Sequence, residues 1–186
     1  KMLLFSGSSN DELAQKVASN LGTQLSDVER KEFANGEIYL RIGESVRGAD
    51  CFVMQSHSGD INRTIMEQLL MIDALKRASA KRITAVLPFY PYSRQDKKAL
   101  PREPISARLI SDMYVAAGVD RMVSLDLHTQ QIQGFVDQPF DHLTAMPLFV
   151  DYFKEKVSGP ISIISPDAGG VKRATIFAKH LEAYVG

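Results

Sequence analysis

Short apolar runs alternate along the chain with segments whose apolar positions recur every three to four residues. The first pattern reads as strand and the second as amphipathic helix. Met2 to Phe5 reads as a strand, and Ser6-Gly-Ser-Ser-Asn10 as a turn in which Ser9 or Asn10 caps a helix to about Leu21. Arg30 to Phe33 and Ile38 to Ile42 are short strands around Ala34-Asn-Gly-Glu37, and Asn-Gly is a strong hairpin signal. Cys51 to Gln55 is the next strand, after which Asp60 or Asn62 caps a long helix to about Ala78. Ile65, Leu69, Ile72 and Leu75 repeat along it at helical spacing. Ile83 to Leu87 is a strand ending at Pro88, and Pro104 opens a helix to about Ala117. Met122 to Leu127 is a strand, Met146 to Lys156 a helix, Ile161 to Ser165 a strand, and a last helix runs to about Ala183. This alternation predicts an α/β fold with a mainly parallel sheet and one hairpin. The expected domain boundary lies between Asp137 and Pro147, where periodicity is weak and two prolines occur.

Composition narrows the class. A chain of 186 residues with 45% hydrophobic positions can bury a real core. Its 22 basic and 22 acidic residues leave no bulk charge to draw it to nucleic acid or anionic membrane. The lone Cys51 excludes an internal disulfide, suits a reducing compartment and reads as a core residue. No run reaches the roughly 18 apolar residues of a membrane span, and Lys1-Met-Leu-Leu-Phe5 runs into a turn rather than forming a signal peptide. A cytoplasmic protein is the expectation. Neither glycine-rich phosphate fingerprint occurs, and one cysteine cannot make a Cys/His zinc set.

Four segments carry chemistry. In Ser124-Leu-Asp-Leu-His-Thr-Gln-Gln-Ile-Gln-Gly-Phe135, Asp126 and His128 stand two apart at a strand end, where side chains of a strand share one side. That pair suits a metal, or a phosphate carrying one. In Ile163-Ile-Ser-Pro-Asp-Ala-Gly-Gly-Val-Lys-Arg173, Asp167 precedes two glycines and a helix start. It reads either as a Mg²⁺ ligand or as an ordinary cap. Pro88-Phe-Tyr-Pro-Tyr-Ser-Arg-Gln-Asp-Lys-Lys98 gathers Arg94, Gln95, Asp96, Lys97 and Lys98, either to clamp phosphate or as a solvated loop. Glu32-Phe-Ala-Asn-Gly-Glu37 puts a ring, an amide and a carboxylate within reach of a purine, or is a plain hairpin. His57, His142 and His180 read as surface residues, and Met66 and Met71 as core filler. From the residues alone the chemistry is metal-assisted and directed at a phosphate or nucleotide.

These segments, with Phe5-Ser-Gly-Ser-Ser9, Glu44-Ser-Val-Arg-Gly48 and Pro104-Ile-Ser-Ala107, together resemble the ribose-phosphate pyrophosphokinase family over nearly the whole chain. The resemblance implies a phosphoribosyltransferase-like, Rossmann-like parallel sheet with an inserted hairpin. It implies an amino-terminal domain over residues 1–145 and the start of a second similar domain over 146–186. The implied reaction is Mg²⁺-dependent transfer of the diphosphoryl group of ATP to the 1-hydroxyl of ribose 5-phosphate, giving phosphoribosyl pyrophosphate (PRPP) and AMP. By the same resemblance Phe33, Asn35, Gly36 and Glu37 hold ATP from a hairpin that reaches a neighbouring subunit. Arg94 and Gln95 hold it from their own loop. His128 and Asp167 are metal positions, with Asp126 in support and Asp137 and Asp141 in the extended signature. Ser45, Arg47, Ser79 and Arg102 match an allosteric site for phosphate and ADP. A homo-oligomer is implied, a hexamer built from dimers.

The chain corresponds to the amino-terminal portion of that family, whose catalytic loop and ribose-5-phosphate loop fall past Gly186, so no turnover is expected from these residues alone. A non-catalytic regulatory subunit, or a true phosphoribosyltransferase, are the competing expectations.

Overall fold

Asn10 shows how local chemistry sets the elements in the computed structural model, which describes residues 1–186. Its side-chain oxygen accepts from the Leu13 amide at 3.1 Å and starts helix α1 (Asp11–Asn20) directly after strand β1 (Met2–Ser6). An antiparallel hairpin follows, β2 (Val28–Glu32) and β3 (Ile38–Ile42). Strand β4 (Asp50–Met54) leads to α2 (Ile61–Arg77), which Asp60 caps by accepting from the Arg63 amide. Then come β5 (Arg82–Leu87), α3 (Ser106–Ala117), β6 (Arg121–Leu125), a 3-10 turn over Gln130–Phe135 and β7 (Phe140–Leu143).

The five strands β1, β4, β5, β6 and β7 form one parallel sheet in that order. Its core joins Phe5, Cys51, Val53, Ala85, Leu87 and Met122 of the strands to Met71, Ile72 and Leu75 of α2 and to Tyr114 of α3. The residues at helical spacing on α2, Ile65, Leu69, Ile72 and Leu75, are all buried. Cys51 is fully buried, and burial pushes its thiol up to about 11.

The chain divides into two compact units, Lys1–Leu143 and Thr144–Gly186. The second contains α4 (Met146–Lys156), strand β8 (Ser162–Ile163), a 3-10 turn over Ala168–Gly170, α5 (Val171–Leu181) and β9 (Tyr184–Val185), which pairs parallel with β8. Phe153 of α4 meets Phe177 of α5 edge-on at 6.0 Å. No helix in either unit is long and apolar enough to cross a membrane.

Four expectations change. The segment 137–147, read as a boundary, does contain the division between the two units, but it also holds a strand that was not expected, β7: Phe140 and His142 alternate too briefly to show a period of two. Pro104 lies before α3 rather than inside its first turn. Met66 is exposed, on the side of α2 that faces away from the sheet. His57 is buried, not a surface residue, and has φ +55.

His57 belongs to a polar knot inside the core. Its Nε2 lies 3.0 Å from Gln68 Oε1, which also accepts from the Tyr114 hydroxyl at 2.5 Å. Its Nδ1 lies 3.1 Å from Thr64 Oγ1. Gln68 closes the knot by donating to the Val53 carbonyl at 2.8 Å. Burial holds the imidazole down to about 4 from an ordinary 6.5. Between those two values the unfolded chain binds a proton that the folded protein refuses, so stability falls as pH is lowered through that window. The loss from His57 is roughly 3 kcal/mol. Urea unfolding at pH 7, 5.5 and 4 should show this slope in the wild type and a flatter one in His57→Asn, a residue that tolerates the left-handed backbone. Equal slopes in the two proteins would refute it.

Candidate functional site

The amino-terminal unit carries its polar surface on loops after the strands, and a buried carboxylate organises the first of them. Glu67 of α2 is almost fully buried. It accepts from the Ser8 amide at 3.1 and 3.2 Å, the Ser8 hydroxyl at 2.7 Å, Gln55 Nε2 at 2.9 Å and Arg30 Nε at 2.8 Å. Burial raises its pKa, but the Ser8 bonds, Gln55 and the Arg30 guanidinium together bring it below the ordinary carboxylate value. Gln55 in turn accepts from Ser9 through both amide and hydroxyl. A Cβ on Gly7 would lie 2.2 Å from the Gln55 amide nitrogen, so the backbone approaches there only as glycine. The Phe5-Ser-Gly-Ser-Ser9 motif is therefore spent on ordering strand ends and the base of the hairpin. Arg30, from β2, also donates to the Ser6 carbonyl.

At the hairpin tip Phe33 N donates to Glu37 O at 2.9 Å and Gly36 N to Phe33 O at 2.8 Å, with Gly36 at φ +88. The Asn-Gly pair thus forms a three-residue loop with its left-handed glycine third, not a two-residue turn. Asn35 Oδ1 accepts from the Glu37 amide at 3.2 Å. Phe33, Asn35, Gly36 and Glu37 are all exposed, and the Phe33 ring meets Tyr39 edge-on at 6.4 Å. Beside them opens a concavity of about 690 Å³, lined by Glu32, Asn35, Glu37, Asp60, Arg63 and Met66 among others. Arg63 spans it, binding Glu32 at 2.9 Å.

The first turn of α2 also reaches the basic loop after β5. Tyr92, at φ +58, donates its hydroxyl to Asn62 Oδ1 at 2.5 Å. Tyr90 of the same loop is buried and bonded to Ser111 and to the Ala107 carbonyl, so it packs the core, while Phe89 stays partly exposed. Arg94 is exposed and makes no ion pair, which leaves its guanidinium open to an anion. Gln95 is tied down at both ends. Its carbonyl accepts from the Ala107 amide at 3.1 Å, and its side-chain oxygen accepts from Ser106 at 2.5 Å. The side-chain NH₂ remains as a donor.

Asp126 and His128 are exposed after the end of β6, but not as successive residues of a strand. The strand stops at Leu125, and Asp126 takes φ +42, so the two-residue alternation does not govern where these side chains point. His142, expected at the surface, is half-buried on β7 and accepts the Leu127 amide on Nε2 at 3.0 Å. It pegs the middle residue of Asp126-Leu-His128. Asp137 is exposed, and Asp141 is bound to Arg121 at 2.5 Å. Asp96, which the sequence shows as one charge among several in the basic loop, is buried and accepts from both Thr129 and Gln131.

In the second unit Asp167 is exposed and caps the 3-10 turn through the Gly170 amide at 2.9 Å. A Cβ on Gly170 would lie 2.5 Å from Ser165 Oγ. The expected cap is present, and the other carboxylate oxygen can still face a cation. No group of three or more His, Cys, Asp or Glu side chains forms a metal cage. Exposed donors in ones and twos fit Mg²⁺ brought in on a phosphate, which keeps several waters and takes few protein ligands.

Of the four residues expected at an effector site, Ser45, Arg47 and Ser79 are exposed at the amino-terminal ends of β4 and β5, where Gly48 N donates to Ser79 O at 3.0 Å. Arg102 is exposed on the long loop leaving the opposite end of β5. The structure groups the first three and leaves Arg102 apart.

A Cβ on Gly36 would meet nothing within 4 Å, so Gly36→Ala tests the backbone alone. Urea unfolding should show a loss of about 1 kcal/mol for Gly36→Ala and less for Gly36→Asn. Equal losses would refute the left-handed assignment.

Known proteins share this architecture. The N-terminal domain of ribose phosphate pyrophosphokinase matches residues 2–118. The ribose-phosphate pyrophosphokinase of Corynebacterium efficiens is 60% identical over 181 residues, which is 97% of this chain and 56% of that protein. That of Streptomyces avermitilis is 55% identical over 184 residues, 98% of this chain and 57% of that protein. The crystal structure of phosphoribosylpyrophosphate synthetase from Mycobacterium smegmatis superposes with a TM-score of 0.97 at 52% identity, covering 100% of this chain and 63% of that one. The chain spans a little over half the length of the curated relatives it matches.

Proposed function

The chain belongs to the ribose-phosphate pyrophosphokinase family, and from that premise we propose that it supplies the ATP-handling half of an enzyme making PRPP. The reaction moves the diphosphoryl group of MgATP to the 1-hydroxyl of ribose 5-phosphate and releases AMP. The observation that carries this reading is the pairing of two loops at the ends of neighbouring parallel strands: the loop after β5 with its open Arg94, and the loop after β6 with Asp126 and His128.

Attack on the β-phosphorus gathers negative charge on the phosphoryl oxygens. Arg94, a planar cation already facing solvent, neutralises part of it. Magnesium arriving on ATP supplies the remaining positive charge. His128, with Asp126 in support, would hold the ion carried by those phosphates, and Asp167 is taken as a metal position of the second unit, described by itself. Gln95 donates its free NH₂ to the nucleotide. Phe33 stacks on adenine, Asn35 and Glu37 read its edge, and Gly36 gives the tip its turn. Positioning the sugar hydroxyl in line with the leaving AMP contributes as much as charge does.

The same reading covers assembly and control. The hairpin tip leaves its ring, amide and carboxylate exposed, which suits service in a second copy of the chain, within a homo-oligomer such as a hexamer of dimers. Ser45, Arg47 and Ser79 form one side of a phosphate or ADP effector site, and Arg102 comes to it from another copy. Residues 144–186 are the opening of a second domain of the same type. A reducing, cytoplasmic setting fits the single buried Cys51.

Calorimetric titration tests the site on this chain. MgATP should bind, and Arg94→Ala and His128→Ala should each weaken it about tenfold or more. Removing Mg²⁺ should abolish the difference between His128→Ala and wild type. Unchanged affinity in both variants would overturn the assignment. The 186-residue chain should form no PRPP, while a chain of the relatives' full length should release AMP only when ribose 5-phosphate is present.

A further inference from the structure

We propose that Asp96 is a positioning residue that sets the Arg94 arm against the His128 arm, and so fixes how the triphosphate lies between them. This deepens the proposed function and rests on its assignment of Arg94 and His128 to MgATP. Asp96 is 7% exposed and sits two residues from Arg94. Its Oδ2 accepts from Thr129 Oγ1 at 2.7 Å and from Gln131 Nε2 at 2.7 Å. Thr129 is the residue next to His128, so one carboxylate oxygen joins the two loops within two positions of each arm.

The basic loop is already held on its other side, where Gln95 engages Ala107 and Ser106 at the start of α3. The His128 loop is held from β7 by His142 and by the Asp126 amide on the Leu143 carbonyl. Each loop is therefore anchored to its own part of the fold, and Asp96 sets their separation. Asp96 does this while buried between its two partners, with its Oδ2 already accepting twice, so its work is on the loops rather than on the ligand. The Thr129 hydroxyl first, and His128 and Lys97 nearby, hold its carboxyl below the ordinary range, while burial opposes them. A displacement of about 1 Å between groups that share one phosphate chain is enough to cost orders of magnitude in a reaction.

Two measurements decide it. In the first, amide hydrogen exchange is followed on the chain without nucleotide. Asp96→Ala and Thr129→Val should each raise exchange in both segments, 93–98 and 127–131. Exchange raised only in the mutated residue's own segment overturns the proposal, and this result does not depend on any nucleotide binding. In the second, MgATP and AMP are titrated separately. Asp96→Ala should weaken MgATP about tenfold and AMP less than twofold, and Asp96→Asn, which keeps an acceptor oxygen, should restore most of the loss. The double variant Asp96→Ala/Thr129→Val should be no weaker than the worse single variant. Asp96→Asn as weak as Asp96→Ala would mean that the charge acts directly on the metal or the nucleotide, and overturns the positioning role. Normal MgATP binding by His128→Ala would sink the metal assignment instead, while leaving the exchange result to decide the coupling.

Discussion

The arrangement depends first on a buried negative charge. Glu67 stands on α2 with almost no water around it, and an unpaired carboxylate there would cost several kcal/mol. It is stable because three different parts of the chain come to it: the loop after β1 through Ser8, the end of β4 through Gln55, and the hairpin through Arg30. Each brings a donor, so satisfying the charge and assembling the three parts are the same event. The hairpin sets Val28 in the core with Leu40 and Ile42 packed against it, while its tip is exposed. Polar ties add to that attachment, with the Arg63–Glu32 pair as a second and more solvated one.

From that anchor a line of bonded neighbours runs across the surface. Arg63 joins the hairpin to the first turn of α2, Asn62 joins that turn to Tyr92, and Asp96 joins the same loop to Thr129 and Gln131. Segments far apart in sequence are thus neighbours through side-chain bonds. The backbone follows the same demand. Tyr92 and Asp126 both take left-handed conformations, each at the point where a loop must turn to present the residues after it.

Much of this was legible in the chain. The period of Ile65, Leu69, Ile72 and Leu75 gives α2 its buried face, and residue type narrows the caps to Ser9 or Asn10 and Asp60 or Asn62, of which Asn10 and Asp60 make the bonds. The segments bearing Arg94, His128 and Asp167 stand out because they end apolar runs. The linking residues do not stand out. Asp96 looks like one more charge in a charged loop, and His142 like a surface histidine, because their partners lie 33 and 15 positions away. His57 was misread for the same reason: Gln68 and Tyr114, which make its burial tolerable, come from two separate helices. The pair Asp126 and His128 is singled out by a strand rule that stops applying at Leu125, so that rule does not describe how the two side chains are presented. Strand β7 has four residues, too few for alternation to rise above chance.

The order of strands has a consequence for how the sheet comes into being. Reading across it gives β1, β4, β5, β6, β7, and after the hairpin this is also the order in which the strands are synthesised. A chain leaving the ribosome amino terminus first has only the single bridge of Leu4 to Leu25 on β1 until residues through Met54 let β4 pair along its length. The hairpin can close by itself in the meantime, because its two strands are neighbours in sequence. From then on every new strand meets an edge already waiting for it, and no earlier pairing has to be undone to admit it. The edge left open at each stage is the one the next strand covers, so the nascent sheet never exposes more than one growing side at a time.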